Sequence, residues 1–206
     1  MGQSTESQQI IGAMPAALPT DRRYVIAIAG PPAAGKSTLA QDLQTALAPK
    51  AAVLSLDAYH YDNAILAERG AIERKGAPHT FDVDGYRRTL ELLRNEPRSA
   101  VVIPRFDRQL DLTRGAASQV GPSHSVVITE GNYLLLDETP WTELAGLFDL
   151  TVSIQAPLEL VQARILARWK SHGLSVDASR GRLEQNDLPN AKLVIERSRP
   201  ADMTTG

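Results

Sequence analysis

The sequence predicts an α/β fold, a mostly parallel sheet with helices on both faces. Three observations carry that prediction. Short apolar runs alternate with segments of helical spacing, which is the order of elements in such a fold. The runs are continuously apolar, as strands covered on both faces must be. The connection after the first run is rich in glycine and small residues. A length of 206 residues suits one core, expected over residues 21–206 behind a polar, proline-containing lead-in at residues 1–20 to which no function is assigned.

The first run, YVIAIA from Tyr24, ends at Gly30-Pro31-Pro32 and reads as a buried strand. Leu39, Leu43 and Leu47 recur every fourth residue, so Lys36 to Ala48 reads as a helix that stops before Pro49. AAVLSL (51–56) is a second strand. Asn63 to Arg69 is short and helical. From Asp84 to Asn95, Tyr86, Leu90 and Leu93 share one helical face, with Pro97 beyond the end. VVIPRF (101–106), SVVITE (125–130) and LFDLTVSI (147–154) complete the expected strands. A long helix follows from about Leu158 to Lys170, then a polar segment with Gly and Arg, then a last helix from Asn190 to Ser198. Ligands of such sheets bind beyond the carboxyl ends of the strands, so residues just after each strand are the ones to inspect.

Composition narrows the classes. Hydrophobic residues are 43% and charged residues 22% of the chain, which excludes wholesale disorder. A formal net charge of −2 is a poor footprint for a nucleic-acid binder. No uncharged apolar run approaches the roughly 18 residues that span a bilayer. There is no cysteine, and the 4 histidines lack zinc-ligand spacing. The expectation is a soluble, cytoplasmic protein whose partner is a small molecule rather than nucleic acid or membrane, with a homodimer left open.

Gly30-Pro31-Pro32-Ala33-Ala34-Gly35-Lys36-Ser37-Thr38 matches G-x-x-x-x-G-K-[ST] between a strand and a helix. Small residues let the backbone wrap a polyphosphate, and N–H groups at the helix start point at its oxygens. Gly30, Ala33, Ala34, Gly35, Lys36, Ser37 and Thr38 are therefore the candidate nucleotide-binding residues. Lys36 places a charge on the β and γ phosphates, and the Ser37 hydroxyl can bind Mg²⁺. Pro31 and Pro32 have no N–H, so the amides from Ala33 to Thr38 form the cradle. The fold class becomes a P-loop NTPase, a three-layer α/β/α arrangement, and ATP with Mg²⁺ becomes the expected pair of small ligands.

Asp57 follows the second strand and Glu130 ends the SVVITE strand, so both belong at the edge that carries the P-loop. Asp57 can accept the proton of an attacking hydroxyl, and Glu130 can hold Mg²⁺ directly or through water. The plain alternatives are a helix cap for Asp57 and a turn acid for Glu130. Residues 164–199 hold eight basic and four acidic residues, whereas residues 130–159 hold six acidic and no basic ones. Arg164 and Arg168, one turn apart, can face one phosphate group. A helical, arginine-containing lid around residues 171–185, flexible through its Gly- and Ser-containing stretch, can then close over the nucleotide; a solvated helix face is the alternative. Tyr59, His60, His79 and Asp82, with Arg105 and Asp107 after VVIPRF, make a cluster suited to a small polyhydroxylated acceptor.

GPPAAGKST, Asp57, RKGAPHTFD, PRFD, EGNYLLL and the arginine-containing lid resemble the phosphoribulokinase, uridine kinase and type I pantothenate kinase superfamily. The similarity covers roughly residues 22–206 and is greatest to a bacterial subgroup designated fructose transport system kinases. That resemblance implies a P-loop kinase with ATP and Mg²⁺, Asp57 as the acceptor-activating base, Glu130 near the metal, and Arg164 and Arg168 as lid arginines, with Arg180 and Arg182 as further candidates. RKGAP and Asp82 follow the pantothenate kinase spelling. His79 stands where pantothenate and uridine kinases carry an acid that, in the uridine enzymes, looks toward the ribose hydroxyls. The expected activity is transfer of the ATP γ-phosphoryl group to a hydroxyl of a small metabolite, a sugar such as fructose first. A pantothenate or nucleoside kinase is the alternative within the class. An ATP-dependent regulatory or binding protein without metabolite kinase activity is the alternative outside it.

Overall fold

A computed structural model describes residues 4–206. The chain opens with α1 (Thr5–Ala13), so the lead-in is partly helical. Ser4 caps it by accepting from the Ser7 N–H, and Ile10 is fully buried in the core. Next come β1 (Tyr24–Ala29), α2 (Lys36–Ala46), β2 (Ala51–Ser55), α3 (Asn63–Glu68) and α4 (Val83–Asn95). The remaining elements are β3 (Val101–Asp107), β4 (Leu112–Val120), β5 (Val126–Gly131), β6 (Leu150–Ile154), α5 (Leu158–Ser171), α6 (Val176–Arg182), α7 (Leu188–Arg197) and β7 (Met203–Thr205).

Five strands form one parallel sheet in the order β2-β5-β1-β6-β7. The central β1 is buried along its whole length, and the strand period of two divides it between the two faces. Val25, Ala27 and Ala29 join Tyr86, Leu90 and Leu93 of α4 in one core layer. Tyr24, Ile26 and Ile28 join Ile10 of α1 and Leu39 and Leu43 of α2 in the other. This is the three-layer α/β/α arrangement expected. Register places Glu130 between Ile28 of β1 and Ser55 of β2, so the carboxyl ends of three strands meet at one edge.

Arg23 precedes β1 and is fully buried. Its guanidinium donates to the carbonyl oxygens of Leu93, Glu96, Pro97, Ser99, Gly121 and His124, at 2.6 to 3.3 Å. A charge this deep is tolerated because its donors are matched by backbone acceptors. The same bonds tie the exit of α4 to the turn between β4 and β5.

One expectation needs correction. VVIPRF does not join the sheet: β3 pairs with β4 alone, as an antiparallel hairpin with a register shift between Ile103 and Arg105. Pro104 lies inside that shift, and a proline cannot supply a ladder N–H, which confines such a strand to an edge or an irregularity. Val101 and Ile103 are buried while Val102 is 57% exposed, a one-faced pattern hidden in an apolar run. The arginine-containing lid is helical, as expected, and α6 forms in its Gly- and Ser-containing stretch. α6 runs directly into a π-helical turn, Leu183–Asp187, and then α7, and Val161, Ile165, Leu183 and Ala191 form a small core beneath it.

Candidate active site

The P-loop turns from β1 into α2 through residues with positive φ, Gly30 at 154°, Ala33 at 59° and Gly35 at 108°. At Gly30 the constraint is also one of space, since a Cβ would lie 2.7 Å from the Ile154 carbonyl oxygen. Lys36 opens α2, is buried, and donates from Nζ to the Pro31 carbonyl oxygen at 2.8 Å. Burial pushes its ammonium pKa down to about 8, against the opposing pull of Glu130 and Asp57.

Beside it, Ser55 organises the acidic pair. Its hydroxyl donates to Glu130 Oε1 at 2.5 Å and accepts the Asp57 N–H at 3.3 Å, where the chain enters the 3-10 turn Leu56–Tyr59. Burial, reinforced by the nearby Asp57 charge, raises the Glu130 carboxyl above the ordinary range, and Lys36 opposes that rise. Asp57 itself pairs with Arg108 Nη2 at 2.9 Å. Its backbone oxygen lies 2.8 Å from His60 Nδ1, and because a carbonyl only accepts, Nδ1 carries the proton. Burial lowers the His60 pKa, which favours the neutral ring and leaves Nε2 as an acceptor.

These groups line one cavity of roughly 600 Å³ at the carboxyl edge of the sheet. Its lining brings together Ala33, Gly35, Lys36, Ser37 and Thr38 of the P-loop, Asp57 and Glu130 from the strand ends, and His60, Lys75, Phe81, Phe106 and Asn132. Lys75 is buried and saturated, donating to Asn63 Oδ1 and the Asp111 carbonyl oxygen, both at 2.7 Å, with Asp111 Oδ2 at 3.0 Å. Tyr133 donates to the Gly76 carbonyl oxygen at 2.6 Å, and Asn186 to that of Lys75 at 2.8 Å, so this loop is braced from β5 and from the lid. Arg168, Trp169, Arg182 and Asp187 close the lid side.

Several residues expected in the site lie elsewhere. Tyr59 is buried edge-on against Tyr86, with ring centroids 5.3 Å apart. Asp82 caps α4, its carboxylate accepting from the Gly85 N–H. Asp107 caps the hairpin turn, accepting from the N–H groups of Gln109 and Leu110. His79 sits in the 3-10 turn Pro78–Thr80 and does not line the cavity. Arg105 faces an adjoining polar cavity of roughly 290 Å³, which shares Ser37, Asp57 and Glu130 with the first. Arg164 donates to the Ala33 and Ala34 carbonyl oxygens at 3.3 and 3.4 Å and, with Ala34, borders a separate cavity behind the P-loop. Gly30 lines neither cavity of the P-loop. Arg108, Phe106, Asp111, Asn132, Trp169 and Asn186 were not singled out by sequence. Asn132 was within reach of the strand-end rule, since it follows β5 directly, whereas Arg108 and Asp111 sit on a hairpin whose second strand, LTRGAASQV, is too polar to read as one.

Among the described residues no cluster of three or more His, Asp or Glu is placed to hold a metal unaided. The oxygen donors Ser37, Asp57 and Glu130 nevertheless share one wall. A hard ion that takes one or two protein oxygens and completes its shell with phosphate and water fits that set. Among the described residues, no helix is long and apolar enough to cross a membrane.

A family model described as Phosphoribulokinase / Uridine kinase family matches residues 25–199. The uncharacterized protein YggC of Escherichia coli strain K12 is 34% identical over 191 residues, covering 88% of this chain and 77% of that one. A provisionally named uridine kinase of Schizosaccharomyces pombe is 28% identical over 184 residues, covering 84% and 78%. A crystal structure of a provisionally named fructose transport system kinase from Silicibacter sp. TM1040 superposes with a TM-score of 0.89 at 37% identity, covering all of both chains.

Proposed function

The chain belongs to the phosphoribulokinase/uridine kinase family of small-molecule kinases, and from that premise we propose that it transfers the γ-phosphoryl group of ATP to a hydroxyl of a small metabolite, a sugar such as fructose first among the candidates. The observation that carries this reading is the convergence of Lys36, Ser37, Asp57 and Glu130 on one cavity of roughly 600 Å³ that His60, Phe81 and Phe106 also line. A protein that only bound nucleotide would have no use for a carboxylate base beside so much room for an acceptor.

In the proposed reaction the acceptor hydroxyl oxygen forms a bond to the γ-phosphorus while the bond from that phosphorus to the β,γ-bridging oxygen breaks, and ADP leaves. The hydroxyl proton passes to the Asp57 carboxylate. His60 Nε2 can accept a second hydroxyl of the substrate, which would orient it. Lys36, Arg168 and Arg182 surround the transferring group with positive charge, the main source of catalysis where the transition state is loose and little covalent chemistry is needed. Ser37 and Glu130 would hold Mg²⁺, which supplies charge neutralisation of the phosphates when bound. The cap of Arg168, Trp169 and Arg182 excludes water that would otherwise compete with the acceptor.

ADP release measured across sugars, nucleosides and pantothenate tests the reading. Turnover of fructose supports the first choice. Turnover of pantothenate or uridine with fructose inert moves the substrate within the class. Slow ATP hydrolysis that no acceptor accelerates would replace the kinase with a nucleotide-dependent binding protein.

A further inference from the structure

Arg108 is the first residue after β3, at the root of the hairpin turn, and its contact with Asp57 sets a condition on the acceptor. The guanidinium has five N–H donors. Among the described residues it uses one group, Nη2, on Asp57 Oδ2 at 2.9 Å. The arginine side chain is 57% exposed and that of Asp57 28% exposed, so the pair is weak and readily exchanged. The other cations on the cavity have partners or tasks. Lys75 is saturated by Asn63 and Asp111, Arg168 lies 3.7 Å from Asp187, Arg182 stacks on the Trp169 ring at 4.3 Å from its centroid, and Lys36 belongs to the P-loop.

When an acceptor hydroxyl engages Asp57 and gives it a proton, Arg108 loses the one carboxylate it is bonded to among the described residues, while Glu130, the other acid near it, is held by Ser55. We propose that Arg108 is then taken over by an anionic group of the acceptor itself, so that the substrate is a hydroxylated oxyanion, a hydroxy acid or a sugar phosphate, rather than a neutral sugar or nucleoside. The guanidinium and the base are in direct contact, so the carboxylate or phosphate lies within a few bonds of the hydroxyl that is phosphorylated. A planar fork of donors suits either oxyanion. This inference rests on the kinase reading above and narrows its acceptor to an anion, which displaces a neutral sugar such as fructose from first place.

Matched pairs of acceptors test it on the full chain, with ADP release as the readout: glycerol against glycerate, fructose against fructose 6-phosphate, ribose against ribose 5-phosphate. The expected result is that the charged member of at least one pair is turned over with kcat/KM about a hundredfold above its neutral partner. Glycerate responding points to a carboxylate and the sugar phosphates to a phosphate. Arg108→Gln, at an exposed position that leaves the melting temperature in place, should raise KM for the charged acceptor about tenfold or more and leave KM for ATP unchanged. Preference for the neutral member of every productive pair overturns the inference while leaving the kinase standing. So does an Arg108→Gln effect confined to KM for ATP, which would assign the guanidinium to the γ-phosphate. Failure of every charged member also overturns it; failure of neutral and charged members together, with ATP bound, counts against the kinase reading as well.

Discussion

The indole N–H of Trp169, near the end of α5, donates to Asp187 Oδ2 at 2.6 Å, at the point where the π-helical turn becomes α7. Residues 170–186, which contain α6 and Arg182, are thereby closed into a loop whose ends are tied. Asp187 is buried, and burial raises its carboxyl above the ordinary range while Trp169 and Arg168 pull it back. Trp169→Phe keeps a ring and removes the donor, leaving a buried acceptor short of a partner at a cost of about 1–3 kcal/mol. Hydrogen exchange of residues 176–187 should quicken by about tenfold or more while that of β1 stays unchanged. A variant with unaltered exchange would mean the lid is held by its small apolar core alone. The sign of the pH effect follows from the raised pKa. Above the ordinary carboxylate value the folded lid binds more protons than the open one, so lid protection falls as pH rises through that interval.

Lys36 has the opposite displacement. With its pKa pushed down to about 8, it is part-neutral in the free protein above that pH, whereas a bound triphosphate demands the charged form. ATP binding above pH 8 should therefore take up a proton, read as a dependence of the calorimetric enthalpy on the buffer's ionisation enthalpy. kcat/KM for ATP should fall with rising pH through the same range. Lys36→Ala should abolish phosphoryl transfer and remove the proton uptake. Persistence of uptake in that variant would assign it to another group.

Asp57→Asn keeps the shape of the site and discards the base. The expected outcome is a loss of about 10²–10⁴ in kcat, with ATP binding measured by calorimetry close to that of the wild type. Unchanged kcat on the true acceptor would remove Asp57 from the proton path. Glu130→Gln should instead raise the Mg²⁺ concentration at which activity is half-maximal.

Arg23→Met replaces the six-carbonyl guanidinium with an apolar chain and leaves those acceptors buried without donors. The cost should be about 3–5 kcal/mol, a fall of about 10 °C in Tm at this size. Thermal melting checks it, and kcat of the protein that remains folded should be preserved, because Arg23 does not reach the cavity.

Gly30→Ala brings a methyl to 2.7 Å from the Ile154 carbonyl oxygen at a backbone angle that only glycine adopts easily. The P-loop must then lift from β6, and the variant should lose ATP affinity and stability together. Wild-type ATP affinity in this variant would show that the loop has slack the geometry denies it.

The parallel sheet and its catalytic edge could be read from sequence because they depend on local regularities. Buried parallel strands are unbroken apolar runs, the G-x-x-x-x-G-K-[ST] motif points to Lys36 and Ser37, and the rule that ligands gather beyond strand ends points to Asp57 and Glu130 after AAVLSL and in SVVITE. The acceptor side was harder because its residues are joined by long-range contacts. Asp82 and Asp107 carry the residue type of a binding group, but each is consumed by nearby backbone N–H groups, as Asp commonly is. Lys75 is one residue of the RKGAP string in sequence, and only the fold shows it saturated inside the protein. Trp169 and Asp187, eighteen positions apart, meet because a π turn redirects the helix, and no periodicity announces that.

The β3–β4 hairpin, of which only VVIPRF reads as a strand in sequence, separates anchorage from recognition. Its root is pinned by Val101, Ile103 and Val120 in the main core, while its tip carries Phe106, Arg108 and Asp111 to the cavity. The tip adds no rung to the five-stranded ladder, so its sequence can drift, or be transplanted from a relative, without disturbing the strands that aim the phosphates. In a lineage of such enzymes the hairpin tip is where a change of acceptor can begin, by exchange of a few side chains on a finger whose base stays fixed.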